Sequence, residues 1–346
     1  MINELRWYRE VQLRPHAGRS FCFKDMTTYF ITGGYGFLGQ YIVQAVHEHD
    51  PQAELRVLVR TQRKTFLPLE KLERVKWTRG ELLKPESFAK QLKGMDTVIH
   101  NAAMGSFRKA EAPLIYESNV VGTRNLIAAA REAGCRNFIF ISSVSAVDFR
   151  PPQISDETLL PDVEKKPLKD MYGYSKMVNE MDLQDTATGM RVIILNPSVI
   201  IGPGSDRLDM VLKALRFLPI LPMLSYVNTF VDVRDVAHAV ILALIKGRSG
   251  ERYIVTAWNM GMIEFTQAVL RATGRKAWIV PLSGMWTRAM NVVLFMLDVL
   301  KLNPGIRRLS EMNVDKPCSY EKIKREMGWE PSLTLERSIS DTIRGA

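Results

Sequence analysis

Cysteine is scarce: the 346 residues contain only Cys22, Cys135 and Cys318, an odd number set far apart. That spacing makes neither a disulfide framework nor a zinc site, and points to a reducing compartment, the cytoplasm. Long hydrophobic runs are also missing. No apolar stretch reaches the length of a spanning helix, and the nearest, 289–302, is interrupted by Asp298 and Lys301. It reads first as a buried or pocket-lining helix. Its apolar character on nearly all sides leaves open a monotopic membrane contact through 285–302. Residues 1–25 are polar and basic, lack the apolar core of a secretory signal and read as an N-terminal extension of unassigned role. There is no internal repeat and no low-complexity linker. The net charge of +10 is scattered among acids, with no basic stripe interleaved with aromatics, which argues against a nucleic-acid partner. The surplus suits a small anionic ligand instead, such as a phosphorylated cofactor.

What the chain has is a glycine-rich turn in a telling context. Tyr29-Phe30-Ile31-Thr32 is β-prone, Gly33, Gly36 and Gly39 follow, and Phe37, Leu38, Ile42, Val43 and Val46 repeat at helical spacing. Strand, glycine turn and helix is the arrangement in which such glycines form a dinucleotide site. Gly33 suits a tight turn, Gly36 admits close approach of a diphosphate, and Gly39 leaves room for helix against sheet. A bare glycine triplet is also compatible with an ordinary turn.

Further strands are expected at Glu54–Arg60, Val75–Trp77, Asp96–Ala103, Asn137–Ser143 and Arg191–Asn196, and helices at Pro85–Leu92, Ala112–Ala133 and roughly Leu168–Asp185. Continuously apolar strands alternating with helices predict an α/β fold, a Rossmann-like doubly wound parallel sheet. Its strand ends would set Gly33, Arg60, Ala102, Ser143 and Pro197 along one rim. Beyond Pro197 the pattern changes: an apolar segment 208–226, a helix over Val233–Ile245, a strand at Glu251–Val255, then mixed helix and loop. Residues 26–196 thus read as a nucleotide-binding domain. Residues 197–346 read as a smaller, mixed α/β substrate-binding lobe, with about 233–256 returning to the first.

Tyr172 and Lys176 stand one helical turn apart. An ammonium beside a phenol favours the phenolate and makes a usable general acid/base. Taken alone, the spacing is better explained by chance, since Tyr and Lys four residues apart occur on many helices. Ser143 ends a strand, where its hydroxyl either donates to a developing oxyanion or caps the next turn. Asn119 lies in an apolar-periodic helix and needs polar partners, whether backbone, water or cofactor.

Together these stretches resemble an extended short-chain dehydrogenase/reductase. Thr32–Gly39 matches T-G-x-x-G-x-x-G, Asn101-Ala102-Ala103 the Asn-Ala-Ala run, Ser143 the strand-end serine, Tyr172 and Lys176 Y-x-x-x-K, and Asn196–Gly204 the Asn-Pro-x-x-Ile-x-Gly-Pro-Gly segment. The resemblance implies hydride transfer with a bound nicotinamide nucleotide. Tyr172 would exchange the proton and Lys176 would hold the nicotinamide ribose. Ser143 would orient the carbonyl and Asn119 support the helix. It also implies cofactor contacts from Phe37, Leu38, Asn101, Ala102, Ala103, Pro197 and Val199. Glu81 and Leu82 occupy the position of the family's Asp-Leu, with Glu a departure. The second strand ends in Arg60 and continues through Arg63 and Lys64 with no acid, which points to NADP over NAD: a 2′-phosphate suits Arg60 and Arg63. Residues 228–237 and 250–254 resemble the dihydroflavonol reductase-like and 3β-hydroxysteroid dehydrogenase-like branch. An apolar ketone or alcohol is the expected small-molecule substrate. The alternative is a nucleotide-sugar epimerase or dehydratase with tightly bound NAD(P). A non-enzymatic redox sensor is disfavoured, because both tyrosine and lysine are retained. Homodimerisation through 112–133 is a further expectation.

Overall fold

The computed structural model describes residues 27–105, 111–159, 170–186, 189–205, 220–282, 292 and 314–344. Hydrophobic residues alternate along strands whose two faces are both covered. In β1 (Thr28–Thr32), Tyr29 and Ile31 join one apolar cluster while Phe30 joins the other. The same alternation recurs further along the chain. The remaining strands are β2 (Glu54–Val59), β3 (Val75–Arg79), β4 (Thr97–His100), β5 (Asn137–Ile141), β6 (Arg191–Pro197), β7 (Val199–Ile201), β8 (Ile220–Leu224), β9 (Val227–Asp232), β10 (Glu251–Val255), β11 (Trp258–Gly261) and β12 (Trp278–Leu282). The main sheet runs β3-β2-β1-β4-β5-β6-β10. Every pairing in it is parallel, so all its strand C-termini meet at one edge.

The helices are α1 (Phe37–His49), α2 (Ala112–Tyr116), α3 (Gly122–Glu132), α4 (Met171–Thr186), α5 (Val233–Lys246), α6 (Met262–Thr273), α7 (Glu321–Met327) and α8 (Leu335–Arg344). α1 and α5 pack side by side, and their buried residues share one cluster with Ile31, Ile139 and Ile193. On the opposite face α3 covers Phe30, Phe138 and Phe140. The smaller lobe has its own core: β11-β9-β7 and the parallel pair β12-β8 enclose Phe230, Phe265 and Val269 together with Leu335 and Ile339 of α8.

Several expectations are corrected. Pro85–Leu92 is two 3₁₀ turns, Pro85–Ser87 and Ala89–Leu92, rather than one helix. The Ser87 hydroxyl bonds the Lys84 carbonyl at 2.7 Å and receives the Glu81 N–H at 2.9 Å, a local alternative to helical pairing. The single helix expected over Ala112–Ala133 is divided by a π-helical turn, Glu117–Val121. β4 ends at His100 and β5 at Ile141, each shorter than expected, because the chain leaves the sheet to build the rim. The region read as mixed helix and loop beyond Val255 contains β11 and β12. Of 285–302 only Val292 is described, and it is exposed; 1–25 and 208–219 also lie outside the described residues. Among the described residues no helix is long and apolar enough to cross a membrane.

Candidate functional site

The glycine turn is a cradle that side chains would fill. Gly33 has φ +74°, and a Cβ there would lie 2.8 Å from the Ala102 backbone. At Gly39 a Cβ would fall 2.0 Å from the Gly33 carbonyl oxygen, and at Gly36 3.2 Å from the same atom. Helix α1 then begins at Phe37 with no side-chain cap from Gly36, leaving the first-turn N–H groups, among them those of Phe37 and Leu38, for an anion. The Leu38 side chain anchors the turn in the core. Gln40 braces the cradle: its amide donates to the Tyr35 carbonyl at 3.2 Å and its oxygen accepts from Phe66 N at 2.9 Å. Across the turn, Asn101 donates to the Gly33 carbonyl at 3.3 Å and Ala102 N to the Thr32 hydroxyl at 3.1 Å. Ala103 follows, exposed at the rim. This narrow, donor-rich bend fits a diphosphate.

Beside it, Tyr35, Val59, Thr61, Gln62, Trp77 and Arg79 line a cleft of about 340 Å³. The Tyr35 and Trp77 rings stack with centroids 4.4 Å apart. Arg60 and Arg63 lie exposed just past β2, outside that lining. The lining cation is Arg79, which the β2–β3 register sets opposite Val59. Arg79 escaped the sequence reading because it sits on a different strand from the Arg60–Lys64 run. Glu81 is exposed and pairs with Lys84 at 3.2 Å, while Leu82 packs against α3, its carbonyl accepting from Asn125 at 2.9 Å. Pro197 closes β6 and Val199 opens β7, paired with Phe230.

At the centre of the edge, α4 meets the turn after β5. Gly173 makes this possible, since a Cβ there would fall 2.6 Å from the Ser145 carbonyl oxygen. Ser143 presents its hydroxyl from that turn and accepts from Ser145 N at 3.1 Å. Tyr172 is half-buried beside Gly105. Lys176 is only 2% exposed. Its ammonium donates to the Ile141 carbonyl at 2.6 Å and stands 4.7 Å from the Phe140 ring centroid and 5.9 Å from that of Tyr172. Burial pulls the Lys176 pKa down to about 7, opposed by the Glu180 carboxylate. Asn119, on the π-helical turn, is fully engaged with protein. It accepts from Met104 N at 2.7 Å and donates to the Met104 carbonyl at 2.9 Å and to the Ser175 hydroxyl at 3.0 Å. Beneath, His100 is held between the hydroxyls of Thr32 and Thr123 at 2.7 and 2.8 Å. Burial, aided by the nearby Lys176, lowers its pKa to about 3 and keeps it neutral. The fold thus gathers Ser143, Tyr172, Lys176 and Asn119 around one edge, and adds Ser175, Gly173 and His100, which the sequence reading passed over. Among the described residues no His/Cys/Asp/Glu group could hold a metal. A larger hollow, about 500 Å³ between α6 and β12, shares no residue with this site.

A family description, NAD dependent epimerase/dehydratase family, matches residues 29–261. The chain is 30% identical to sterol demethylase protein B of Methylococcus capsulatus, over 89% of this chain and 95% of that protein. It is 32% identical to a putative dihydroflavonol 4-reductase of Synechocystis, over 91% and 93%, and 26% identical to a 3-beta-hydroxysteroid dehydrogenase of Mycolicibacterium neoaurum, over 92% and 91%. The crystal structure of gox2253 superposes with a TM-score of 0.80 at 27% identity, covering 93% of this chain and 98% of that one. A dTDP-glucose 4,6-dehydratase of Bacillus anthracis, with a TM-score of 0.72 at 19% identity and coverage of 92% and 96%, shares the fold. On the strength of the family match and these full-length relatives, the chain belongs to the NAD dependent epimerase/dehydratase family, as an NAD(P)-dependent extended short-chain dehydrogenase/reductase.

Proposed function

We propose that the protein is an NADP-dependent oxidoreductase that interconverts a ketone and a secondary alcohol on a relatively apolar small molecule. The observation that carries this reading is the buried Lys176 ammonium beside the Tyr172 ring, at the edge where the sheet presents its strand C-termini. When bound, the nicotinamide supplies or accepts the hydride. In the reducing direction the Tyr172 hydroxyl gives its proton to the substrate oxygen. In the oxidising direction the phenolate takes it back. The Lys176 charge favours the phenolate, and the Ser143 hydroxyl donates to the substrate oxygen as charge grows on it. Asn119 holds Met104 and Ser175, and through Ser175, which donates to the Tyr172 carbonyl at 2.8 Å, the first turn of α4.

Gly33, Gly36, Phe37, Leu38 and Gly39 would hold the diphosphate. Asn101, Ala102 and Ala103 would flank it, and Lys176 would hold the ribose, with Pro197 and Val199 near the carboxamide. Arg60, Arg63 and Arg79 supply the positive charge that supports a 2′-phosphate, with no acid at the end of β2 to oppose it. Two of the relatives named above carry reductase or dehydrogenase in their names and two a sterol or steroid, which supports an apolar substrate. A panel of apolar ketones and secondary alcohols followed by NADPH absorbance tests the proposal. Turnover should prefer NADPH to NADH, and Tyr172→Phe should abolish it while leaving NADPH binding intact. Faster turnover with NADH would refute the cofactor assignment. Nucleotide that co-purifies and shows no net absorbance change during turnover would select an epimerase or dehydratase instead.

A further inference from the structure

One turn beyond Lys176 on α4, Glu180 is buried, one carboxylate oxygen held by hydrogen bonds and the other in an ion pair whose geometry leaves Arg252 Nε without a hydrogen bond. One oxygen accepts from Asn196 Nδ2 at 2.6 Å and from the Ser142 hydroxyl, and the other faces Arg252 Nε at 2.9 Å. Glu180 and Arg252 are both less than one-tenth exposed. Asn196 also donates to the Ser143 carbonyl at 3.1 Å. The cluster therefore spans α4, the turn after β5, β6 and β10, and it touches the backbone of Ser143 while sharing a helix face with Lys176. A buried ion pair is a poor source of stability, since desolvation offsets its attraction and apolar residues would fill the space as well. Its location suggests another use.

Lys176 hydrogen-bonds the Ile141 carbonyl and has Tyr172 and Glu180 one helical turn away to either side on its own helix, Glu180 acting on it through its charge rather than by direct contact. Neutral His100 of β4 and the Phe140 ring of β5 lie nearby, and Arg252 of β10 stands behind Glu180. Among these described neighbours Glu180 is the one carboxylate, and the Tyr172 phenol is the group whose ionisation Lys176 is proposed to tune. We propose that Glu180 and Arg252 are a positioning pair for the Tyr172–Lys176 couple: Arg252 keeps Glu180 ionised in the interior, and Glu180 keeps Lys176 charged and in place. The directions of titration agree. Burial raises the Glu180 pKa, with Arg252 the strongest influence against it, and Glu180 in turn opposes the effect of burial on Lys176. The importance of this pair for turnover rests on the catalytic reading above, but its electrostatic role does not.

The test is therefore made without substrate. Full-length protein carrying [13Cε]lysine is titrated by NMR, with the Lys176 resonance assigned by its loss in Lys176→Met. Glu180→Gln keeps the side-chain shape and removes the charge, and it should move the Lys176 midpoint down by about one unit or more. Arg252→Met should move it the same way, because Glu180 would then take up a proton, whereas Arg252→Lys should restore it. An unchanged midpoint in a variant that retains the wild-type circular dichroism spectrum overturns the proposal. So does failure of both charge-removing variants to fold without rescue in Arg252→Lys, which would mark the cluster as structural. Failure of Tyr172→Phe to abolish turnover would strike the catalytic reading and leave this result standing.

Discussion

Replacing Gly39 by alanine sets two effects of known size against each other. Gly39 lies in the first turn of α1, where alanine is favoured over glycine by about 1 kcal/mol of helix propensity. On propensity alone the variant should be more stable. The added methyl, however, would sit 2.0 Å from the Gly33 carbonyl oxygen, 2.8 Å from its carbonyl carbon and 2.9 Å from Gly34 Cα. All three neighbours are backbone, so no rotamer change relieves the overlap. The turn must move by more than an ångström, and overpacking of this kind costs about 1–3 kcal/mol or more. The strain falls on the Gly33–Gly36 bend that the diphosphate would occupy. NADPH affinity, measured by quenching of tryptophan fluorescence, should weaken at least roughly tenfold, about 1.4 kcal/mol. Gly94→Ala is the control: φ is +78° there but nothing lies within 4 Å of the new methyl, so only a backbone cost of about 1–2 kcal/mol is expected, with affinity unchanged. A Gly39→Ala protein that binds NADPH like wild type, or melts at a higher temperature, would refute the cradle argument.

Acid sensitivity follows from His100. Its pKa is about 3 in the fold against about 6.5 in an unfolded chain, so the unfolded state binds more protons between those values. Stability is then fully present above pH 6.5 and lost as pH falls toward 3, by up to about 5 kcal/mol. Urea unfolding at pH 7, 5.5 and 4.5 should show this slope, flattened in His100→Gln; equal slopes would contradict it. Asn119→Ala removes three side-chain hydrogen bonds at a buried position and should cost about 1–3 kcal/mol. Because it frees Met104 and Ser175, turnover should fall more than NADPH affinity, and the reverse pattern would place Asn119 on the cofactor side. Arg79→Glu should reduce the NADPH-to-NADH affinity ratio at least roughly tenfold, as one reversed charge beside a phosphate warrants. An unaltered ratio would remove the Tyr35–Trp77 cleft from the 2′-phosphate site.

The features that could be read from the chain are those whose physics is local. Gly33, Gly36 and Gly39 are meaningful at fixed spacing because a turn and a helix start are built from consecutive residues. Tyr172 and Lys176 share a face because four residues make one helical turn. The alternation of apolar runs with helical periodicity was enough to specify a parallel sheet, since strands buried on both faces need crossovers to cover them. Where short-range hydrogen bonding competes with periodicity, that reading fails. Ser87 holds the chain in 3₁₀ turns, and Asn119 sits on a π-helical turn from which its side chain reaches Met104 and Ser175. What only the tertiary structure decided is adjacency between strands. Arg79 joins the cleft beside Tyr35 because β3 pairs with β2 in the register Val59↔Arg79. Arg252 reaches Glu180 because β10, after a long excursion through the smaller lobe, inserts beside β6. No pattern in the intervening residues encodes such meetings. They arise from the order in which a twisted sheet stacks its strands, which is settled by long-range packing rather than by neighbours in the chain.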